Sequence, residues 1–225
     1  MAFILTGDIH GLLEIDKVEE YFQAFDEYTK EDFLIILGDV GVLWNEVDDK
    51  EVQRILNSLP VTTLWIDGNH ENFDIINSYP VEKWNGGNVH FISDSIIHLM
   101  RGQVYTINGL KFFTFGGGNS IDKAGRYEGV SWWSDEMPSN YEYELGLESL
   151  EENDWKVDYV LTHTCPTFVA EQLVTYMYPG EEVLQKYFDN VAEELEYERW
   201  FFGHWHTDET IDNFTCVYND IFEIE

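Results

Sequence analysis

Three short apolar runs in the first 70 residues, separated by segments of helical spacing, constrain the fold more than any other feature of this sequence. The runs are Phe3–Thr6, Phe33–Leu37 and Thr62–Ile66, and the continuously apolar second run is typical of a strand that is covered on both faces. Between the runs, apolar residues recur every three or four positions in 15–25 and 52–59, which predicts two helices. Strands that alternate with helices in this way indicate parallel pairing in an α/β fold.

The middle of the chain predicts a different kind of sheet. Four strand-like runs follow one another closely at 89–92, 96–99, 103–107 and 110–115. The dipeptide Asn108-Gly109 between the last two runs is a strong signal for a two-residue hairpin. We therefore expect a second, largely antiparallel sheet in this part of the chain.

Residues 116–140 have no helical or strand period. We predict a long surface loop or cap there, and long loops in compact domains commonly carry function. After this loop, the pattern predicts two helices at 141–153 and 183–195. It also predicts three strands at 157–162, 199–202 and 214–218. The predicted apolar face of the second helix includes Val183.

The size and charge of the chain limit its partners. A length of 225 residues fits a single domain spanning 1–225, because single hydrophobic cores stop growing only above about 250–300 residues. The chain carries 44 Asp and Glu against 12 Lys and Arg, a formal net charge of −32. Such a field repels polyanions and argues against a nucleic-acid partner.

The N-terminus and the cysteines suggest a location. The first residues show no basic n-region, and no apolar run approaches the roughly 20 residues that cross a bilayer. The chain has two cysteines, Cys165 and Cys216, too few for a disulfide framework. We expect two free thiols, a cytoplasmic location and no membrane partner, while no feature indicates the oligomeric state.

Five strand-like runs are followed by residues that can bind a metal. The segments are Gly7-Asp8-Ile9-His10-Gly11, Gly38-Asp39-Val40-Gly41, Asp67-Gly68-Asn69-His70-Glu71, His163 alone, and Gly203-His204-Trp205-His206. In α/β sheets, ligand sites form beyond the carboxyl ends of the strands. The sequence therefore predicts that these side chains converge in one pocket.

The residue types in these segments indicate divalent metal ions. Imidazole and carboxylate together suit Mn, Fe or Zn, and the absence of a cysteine cluster argues against iron–sulfur or structural zinc. In extended backbone, Asp8 and His10 point the same way, as do His204 and His206. Because the candidate ligands are too many for one ion, two ions bridged by one carboxylate are the economical interpretation.

The five segments resemble the calcineurin-like metallophosphoesterase superfamily. Its pattern is Asp-x-His, Gly-Asp, Gly-Asn-His-Glu or Gly-Asn-His-Asp, a lone His, and Gly-His-x-His, and the match runs from residue 8 to residue 206 in the family's order. The resemblance implies an α/β fold, a four-layer α/β/β/α sandwich of two mixed sheets flanked by helices. It also implies a metal-dependent phosphoric ester hydrolase.

The resemblance assigns roles to individual side chains. It implies that a first ion is held by Asp8, His10 and His206. A second ion would be held by Asn69, His163 and His204, and Asp39 would bridge both. It further implies that His70 protonates the leaving oxygen. Mn or Fe are the expected ions, with Zn as an alternative.

Physical chemistry agrees with these roles. Two ions about 3.5–4 Å apart lower the pKa of a bridging water and neutralise charge in an in-line transition state. A metal-bound hydroxide would then replace a protein nucleophile. Two dications against Asp8, Asp39 and this hydroxide leave a formal charge of +1, which suits a small soluble phosphate mono- or diester despite the acidic surface.

The sequence departs from the protein phosphatases of this superfamily. Their pattern Gly-Asp-x-Val-Asp-Arg-Gly contains an arginine that grips phosphate, whereas here Gly41-Val42-Leu43-Trp44 follows Asp39 and Val40. Arg126, in the 116–140 loop, is our candidate replacement, because a guanidinium fork matches phosphate bidentately. The alternative for Arg126 is a pair with one of the many carboxylates.

Two alternatives remain open at this stage. The chain could be a non-catalytic interaction module that keeps the fold, although every motif position is filled, which favours the enzyme. Trp132-Trp133 could line a pocket or cover the core. We assign His90 and His98 to the surface or to a hydrogen-bonded core, because neither belongs to a motif.

Overall fold

Two mixed β-sheets pack face to face and carry helices on their outer sides. The computed structural model describes residues 1–25, 27–45, 48–177 and 179–224. Three apolar clusters separate the layers: one lies between the sheets and includes Leu5 and Phe201, and the others lie under the helices on either side. The predicted four-layer α/β/β/α sandwich is confirmed.

The first sheet has four parallel strands at its centre. In spatial order, its seven strands among the described residues are β13 (Phe222–Ile224), β1 (Phe3–Thr6), β2 (Phe33–Leu37), β3 (Thr62–Ile66), β6 (Ile96–Leu99), β5 (Gly87–Ser93) and β4 (Glu82–Trp84). Strands β1, β2, β3 and β6 run parallel, with Phe3 opposite Phe33 and Phe33 opposite Thr62. The three predicted strands β1 to β3 are confirmed at their predicted bounds.

The second sheet repeats this plan. Within the described ranges its six strands are, in spatial order, β11 (Glu209–Ile211), β12 (Phe214–Cys216), β10 (Arg199–Phe202), β9 (Tyr159–Thr162), β8 (Leu110–Phe115) and β7 (Gln103–Ile107). Strands β8, β9, β10 and β12 are parallel, and β7 and β11 close the edges in antiparallel pairs.

The prediction of one antiparallel sheet between residues 89 and 115 is wrong. Strand β6 pairs in parallel with β3, so β5 and β6 extend the first sheet, whereas β7 and β8 form a hairpin in the second. All four residues of β6 are buried, which fits pairing with a strand covered on both faces. The predicted hairpin turn is confirmed, with φ of 52° at Asn108 and 84° at Gly109.

The helices cover the outer faces of both sheets. The structure describes α1 (Asp16–Ala24), α2 (Asp48–Ser58), α3 (Phe73–Ile76), α4 (Asn140–Glu152), α5 (Thr167–Leu173) and α6 (Glu182–Glu194). Val18 and Val52 pack α1 and α2 against the first sheet, and Leu184 and Phe188 pack α6 against the second. Val183 is 68% exposed, which corrects the predicted apolar face, because a residue beside Leu184 lies about 100° further round the helix.

The 116–140 segment is less superficial than predicted. Its first residues, 116–120, are buried, and Glu136 is buried beneath the segment, where Oε1 accepts a hydrogen bond from the Ser120 backbone N–H at 3.0 Å and pairs with Lys123. Trp133 is part of the core under the first sheet's helices. The segment ends at α4, where Ser139 and Glu142 form a capping box. Its first residues and Trp133 and Glu136 are therefore buried, while most of residues 121–130 lie exposed at the surface, as predicted for a loop.

Two further observations concern the cysteines and the helices. Cys165 and Cys216 are free and buried, as expected for two thiols. Among the helices of the described residues, none has the length and apolarity needed to cross a membrane.

The core between the sheets carries much of the stability. Leu161 on β9 is fully buried there, whereas Leu147 on α4 is 39% exposed. We expect Leu161→Ala to lower the free energy of unfolding by about 2–5 kcal/mol, because it leaves a cavity. Leu147→Ala, the matched control, should cost less than about 1 kcal/mol. Urea denaturation of both variants measures this, and equal losses would contradict the packing described here.

Candidate metal centre

The loops that follow five parallel strands meet at one edge of the sandwich. They follow β1, β2 and β3 of the first sheet and β9 and β10 of the second. The structure brings together eight side chains from these loops, Asp8, His10, Asp39, Asn69, His70, His163, His204 and His206. Convergence follows from the fold, since the carboxyl ends of the central strands of both sheets lie at this edge.

Asp8, His10 and His206 form one group. One candidate ligand atom from each lies within 4.8 Å of the others. The Nε2 of His206 is 3.5 Å from Asp8 Oδ1, and the rings of His10 and His206 are 5.3 Å apart at their centroids. These are the three side chains that the resemblance assigns to a first ion.

A second group lies beside the first, with Asp39 between them. The Nε2 of His163 is 3.1 Å from Asn69 Oδ1 and 3.5 Å from Asp39 Oδ1, and the ring of His204 is 4.9 Å from that of His163. The other oxygen of Asp39, Oδ2, is 3.4 Å from His10 Nε2. The two oxygens of Asp39 thus face different histidines, a placement that suits a carboxylate bridging two ions with one oxygen to each.

Three of the histidines have one ring nitrogen held by another group. Nδ1 of His10 is 3.3 Å from Glu14 Oε2, and Nδ1 of His163 is 2.7 Å from the carbonyl of Leu37. Nε2 of His204 is 3.3 Å from Glu181 Oε1. Metal-binding histidines almost always have such a partner, which sets the tautomer and leaves the opposite nitrogen for the ion. These rings fit a metal.

The buried charge also fits divalent ions. Asp8 and Asp39 are both buried, and buried carboxylates are normally paired or bound to a metal. Burial by itself would raise the pKa of Asp39, but His163 and His10 outweigh it and hold this pKa well below its usual range. Nitrogen and oxygen donors without thiolate are the ligands that Mn, Fe and Zn accept.

The backbone of the centre is strained. Five candidate ligands have φ between 44° and 66°, namely Asp8, His10, Asp39, His204 and His206. Positive φ is uncommon for residues other than glycine, and each such residue costs on the order of 1–3 kcal/mol where the surroundings impose it. Strain collected at one cluster is typical of functional sites.

Glu71 ties two of the loops together. Its Oε1 accepts a hydrogen bond from the Val40 backbone N–H at 2.9 Å, next to Asp39. Burial, and then the nearby Asp39, raise the pKa of Glu71 well above its usual value. Gly41 is required in the same loop, because a Cβ there would lie 2.6 Å from the Gly11 backbone nitrogen.

Sequence analysis missed four side chains that contact or stabilise the candidate ligands. Glu71 stands inside a quoted motif, and Glu14 lies four residues after His10, a spacing that could have indicated contact. Tyr218 stacks on His206 with centroids 4.4 Å apart and hydrogen-bonds Glu14. No local signal marks Tyr218 or Glu181, because only the tertiary fold brings them to the centre.

Arg126 has partners of its own. Its Nε and Nη2 lie 2.8 and 2.6 Å from Asp122 Oδ2, so the pairing with a carboxylate that the sequence left open is present. Its Nη1 is 2.9 Å from His70 Nδ1. Burial lowers the pKa of His70, and Arg126 lowers it further while Asp39 opposes.

His90 and His98 behave as predicted for core residues. Both are buried on neighbouring strands with their Nδ1 atoms 3.1 Å apart, and His98 Nε2 lies 3.2 Å from Asp67. Arg101 completes this network with a bond to Asp67. Burial, then His98, lower the pKa of His90 to about 4.

Two mixed sheets with a His, Asp and Asn cluster at their common edge are features of the metallophosphoesterase type of fold. A family model described as calcineurin-like phosphoesterase matches residues 1–208. The chain therefore belongs to the calcineurin-like phosphoesterase family, a family of hydrolases.

Two relatives and one solved structure illustrate the similarity. A lariat debranching enzyme from Schizosaccharomyces pombe is 26% identical over 74% of this chain and 37% of its own length. Lariat debranching enzyme A from Xenopus laevis is 25% identical over 87% of this chain and 38% of its own length. A putative 5′-nucleotidase from Staphylococcus aureus, 14% identical, aligns with a TM-score of 0.52 over 99% of this chain and 50% of that chain.

These comparisons differ in what they show. The solved structure shows the fold alone. The chain spans less than two fifths of the length of the two curated relatives.

Metal binding should release protons. In the metal-free chain, burial opposes protonation of His10 and His204, but Asp39 and Glu181 respectively outweigh it and raise each pKa to about 9. An ion binds only neutral imidazole, so its affinity should fall by roughly tenfold per pH unit per displaced proton as the pH drops below 9. Calorimetric titration with Mn²⁺ in buffers of different ionisation enthalpy counts the protons.

A matched variant tests the cause. Glu181→Gln removes the carboxylate beside His204, so fewer protons should be released near pH 8. Mn²⁺ affinity that stays constant between pH 7 and pH 9 would contradict this prediction.

Proposed function

We propose that this chain hydrolyses a small, soluble phosphate ester with the help of two divalent metal ions. The observation that carries the proposal is the position of Asp39, whose two carboxylate oxygens face separate groups of candidate ligands. Mn or Fe are the ions we favour, with Zn as an alternative. The same residues would place the phosphate at the junction of the five loops.

Each ion would be held by side chains from both sheets. We assign Asp8, His10 and His206 to one ion, Asn69, His163 and His204 to the other, and Asp39 to both. When bound, such ions lower the pKa of a water and neutralise charge that develops on the phosphoryl oxygens. Glu14 and Glu181 would orient the rings of His10 and His204 through their second ring nitrogens.

We propose that His70 delivers a proton to the leaving oxygen. Its backbone N–H donates to Asp39 Oδ1 at 2.7 Å, which anchors the residue beside the candidate ligands. Its Nδ1 accepts from Arg126, so the proton of the neutral ring sits on Nε2. We propose Nε2 as the donor, because a general acid must lie within hydrogen-bond reach of the leaving group.

Arg126 is our candidate for binding the phosphate. It lies beside His70, where the phosphate would sit, and a guanidinium fork suits phosphate oxygens. Asp122 holds this fork, so the phosphate would have to displace that carboxylate. Asp122 and the substrate phosphate should therefore compete for the guanidinium of Arg126.

Two alternative functions are compared with this proposal. The two curated relatives are named for debranching a lariat, which keeps a lariat substrate as a second candidate despite the charge of −32. A non-catalytic interaction module is the other, and the filled set of ligand positions argues against it. Both can be tested with the same purified protein.

The decisive experiment combines metal analysis with an activity panel. Chelator-treated protein reconstituted with Mn or Fe should hold two ions per chain, and no more than one tightly held ion would contradict the binuclear site. Asp39→Asn should weaken both sites, whereas Asp32→Asn, at a buried carboxylate elsewhere, should keep both ions. The panel includes phosphomonoesters, phosphodiesters, nucleotides, single-stranded RNA and a lariat substrate.

The panel also separates the candidates. Activity on RNA or the lariat comparable to that on mononucleotides at about 0.15 M salt would overturn the charge argument. A chain that binds no ion and turns over nothing would support the interaction module.

The loss of activity on removing His70 should depend on the leaving group. We expect His70→Ala to lower kcat about 10²–10⁴-fold on alkyl phosphates, because the general acid is absent. The loss should be smaller with a nitrophenyl ester, whose leaving group needs little protonation, and both ions should remain bound. Equal losses on both substrates would indicate that His70 positions the substrate instead.

Substitutions at Arg126 and Asp122 should move KM in opposite directions. Arg126→Ala should mainly raise KM, and Arg126→Lys should restore binding only partly, because an ammonium cannot form the fork. Asp122→Asn should lower KM, because it frees the guanidinium. If Arg126→Ala loses stability at unchanged KM, the arginine braces the loop and does not bind phosphate.

A further inference from the structure

Two grooves meet at the candidate metal centre. The first, the Trp44 groove, has a volume of about 520 Å³ and is lined by Trp44, Leu12 and Leu13. The second, the Trp205 groove, has a volume of about 450 Å³. It begins at the candidate ligands Asp39, Asn69, His204 and His206 and extends past Trp205, Ile121 and Val174. His70 lines both grooves, so they open from the point where the proposed proton donor lies.

A ridge formed by one ion pair divides the grooves. Asp122 lines the Trp205 groove, Arg126 lines the Trp44 groove, and the two side chains are bonded to each other at 2.6 Å. Arg126 also contacts His70 below the ridge. A ligand that filled both grooves would therefore pass His70 and the candidate metal ligands at its middle.

Both grooves expose apolar side chains beside a polar centre. Leu13 is 81% exposed and Ile121 is 62% exposed. Leu13 lies only three residues after His10, at the end of the turn that β1 leads into. Apolar walls around a few convergent polar groups are typical of small-molecule sites, and each groove lies within their usual size of about 300–1,000 Å³.

We propose that the substrate is a phosphodiester with two apolar or aromatic substituents, one in each groove. This inference rests on the proposed function and narrows its substrate class. A monoester has one organic substituent and would leave one groove empty. A diester has two, which leave the phosphorus in different directions and match two grooves that open from His70.

The charge of the lining agrees with a diester. Within the described residues, Arg126 is the only Lys or Arg that lines either groove, and Asp122 already pairs with it. Asp48 and Glu181 add negative charge to the walls. These acidic walls repel a monoester, which carries a charge of about −1.5 to −2 at pH 7, more than a diester with one negative charge, whereas the two proposed dications at the centre attract both.

Turnover of two esters with the same leaving group tests the proposal. The probes are bis(4-nitrophenyl) phosphate and 4-nitrophenyl phosphate, assayed with the Mn-loaded protein. We expect kcat/KM to be at least about tenfold higher for the diester. A monoester that is hydrolysed equally well or better overturns the diester proposal and leaves the proposed hydrolysis intact. If the loaded protein turns over neither ester, the proposed function itself fails.

Groove variants give a second, sharper test. Leu13→Ser alters the Trp44 groove and Ile121→Ser alters the Trp205 groove, while Val183→Ser, at an exposed position on α6, is the matched control. For the diester, both groove variants should lower kcat/KM about fivefold to tenfold. For the monoester only one of them should, and the control should change neither. If either groove variant leaves diester turnover within about twofold, that groove holds no substituent.

A binding measurement avoids any dependence on turnover. Dibenzylphosphinate and benzyl(methyl)phosphinate have the same charge and no ester bond, and they differ only in the size of the second substituent. Calorimetry on the Mn-loaded protein should give a Kd at least about fivefold lower for the dibenzyl compound, and both groove variants should remove this difference. Equal affinities overturn the two-groove proposal.

Discussion

The buried carboxylate of Asp39 is the constraint on which the rest of this structure depends. It lies between the two groups of imidazoles, with one oxygen toward His10 and the other toward His163. A buried charge of this kind is tolerated only with compensating partners. The loops around it therefore have to bring those partners close, and their backbone is strained. Tight packing at Gly41 and the hydrogen bond of Glu71 hold this strained backbone in place.

The fold explains how so many polar groups are held close together. Four parallel strands at the centre of each sheet end at the same edge, and three apolar clusters hold the two sheets and their helices rigidly together. The 116–140 segment, in which buried Glu136 accepts a hydrogen bond from the Ser120 backbone, carries the Asp122–Arg126 ridge above that edge. The strand-end loops form the floor of the site, and the ridge above them divides it into two grooves.

The predictions succeeded where the physical cause is local. Continuous apolar runs located the strands from Phe3–Thr6 to Thr62–Ile66 at their observed bounds, because a strand covered on both faces needs apolar side chains on both. The sheet assignment of residues 89–115 failed because strand-like runs do not say which edge they join. β6 pairs in parallel with β3, a strand from an earlier part of the chain, and no local pattern indicates that contact.

The sequence by itself determined the family, the four-layer class and the list of candidate ligands, because each motif is a short segment at the end of a strand. The tertiary structure alone decided which groups face those ligands. Glu181 and Tyr218 lie outside every motif and reach His204 and His206 only through the folding of the chain. The contact of Arg126 with His70 and the two grooves were likewise decided by the fold, because contacts between segments distant in sequence leave no periodic trace in the chain.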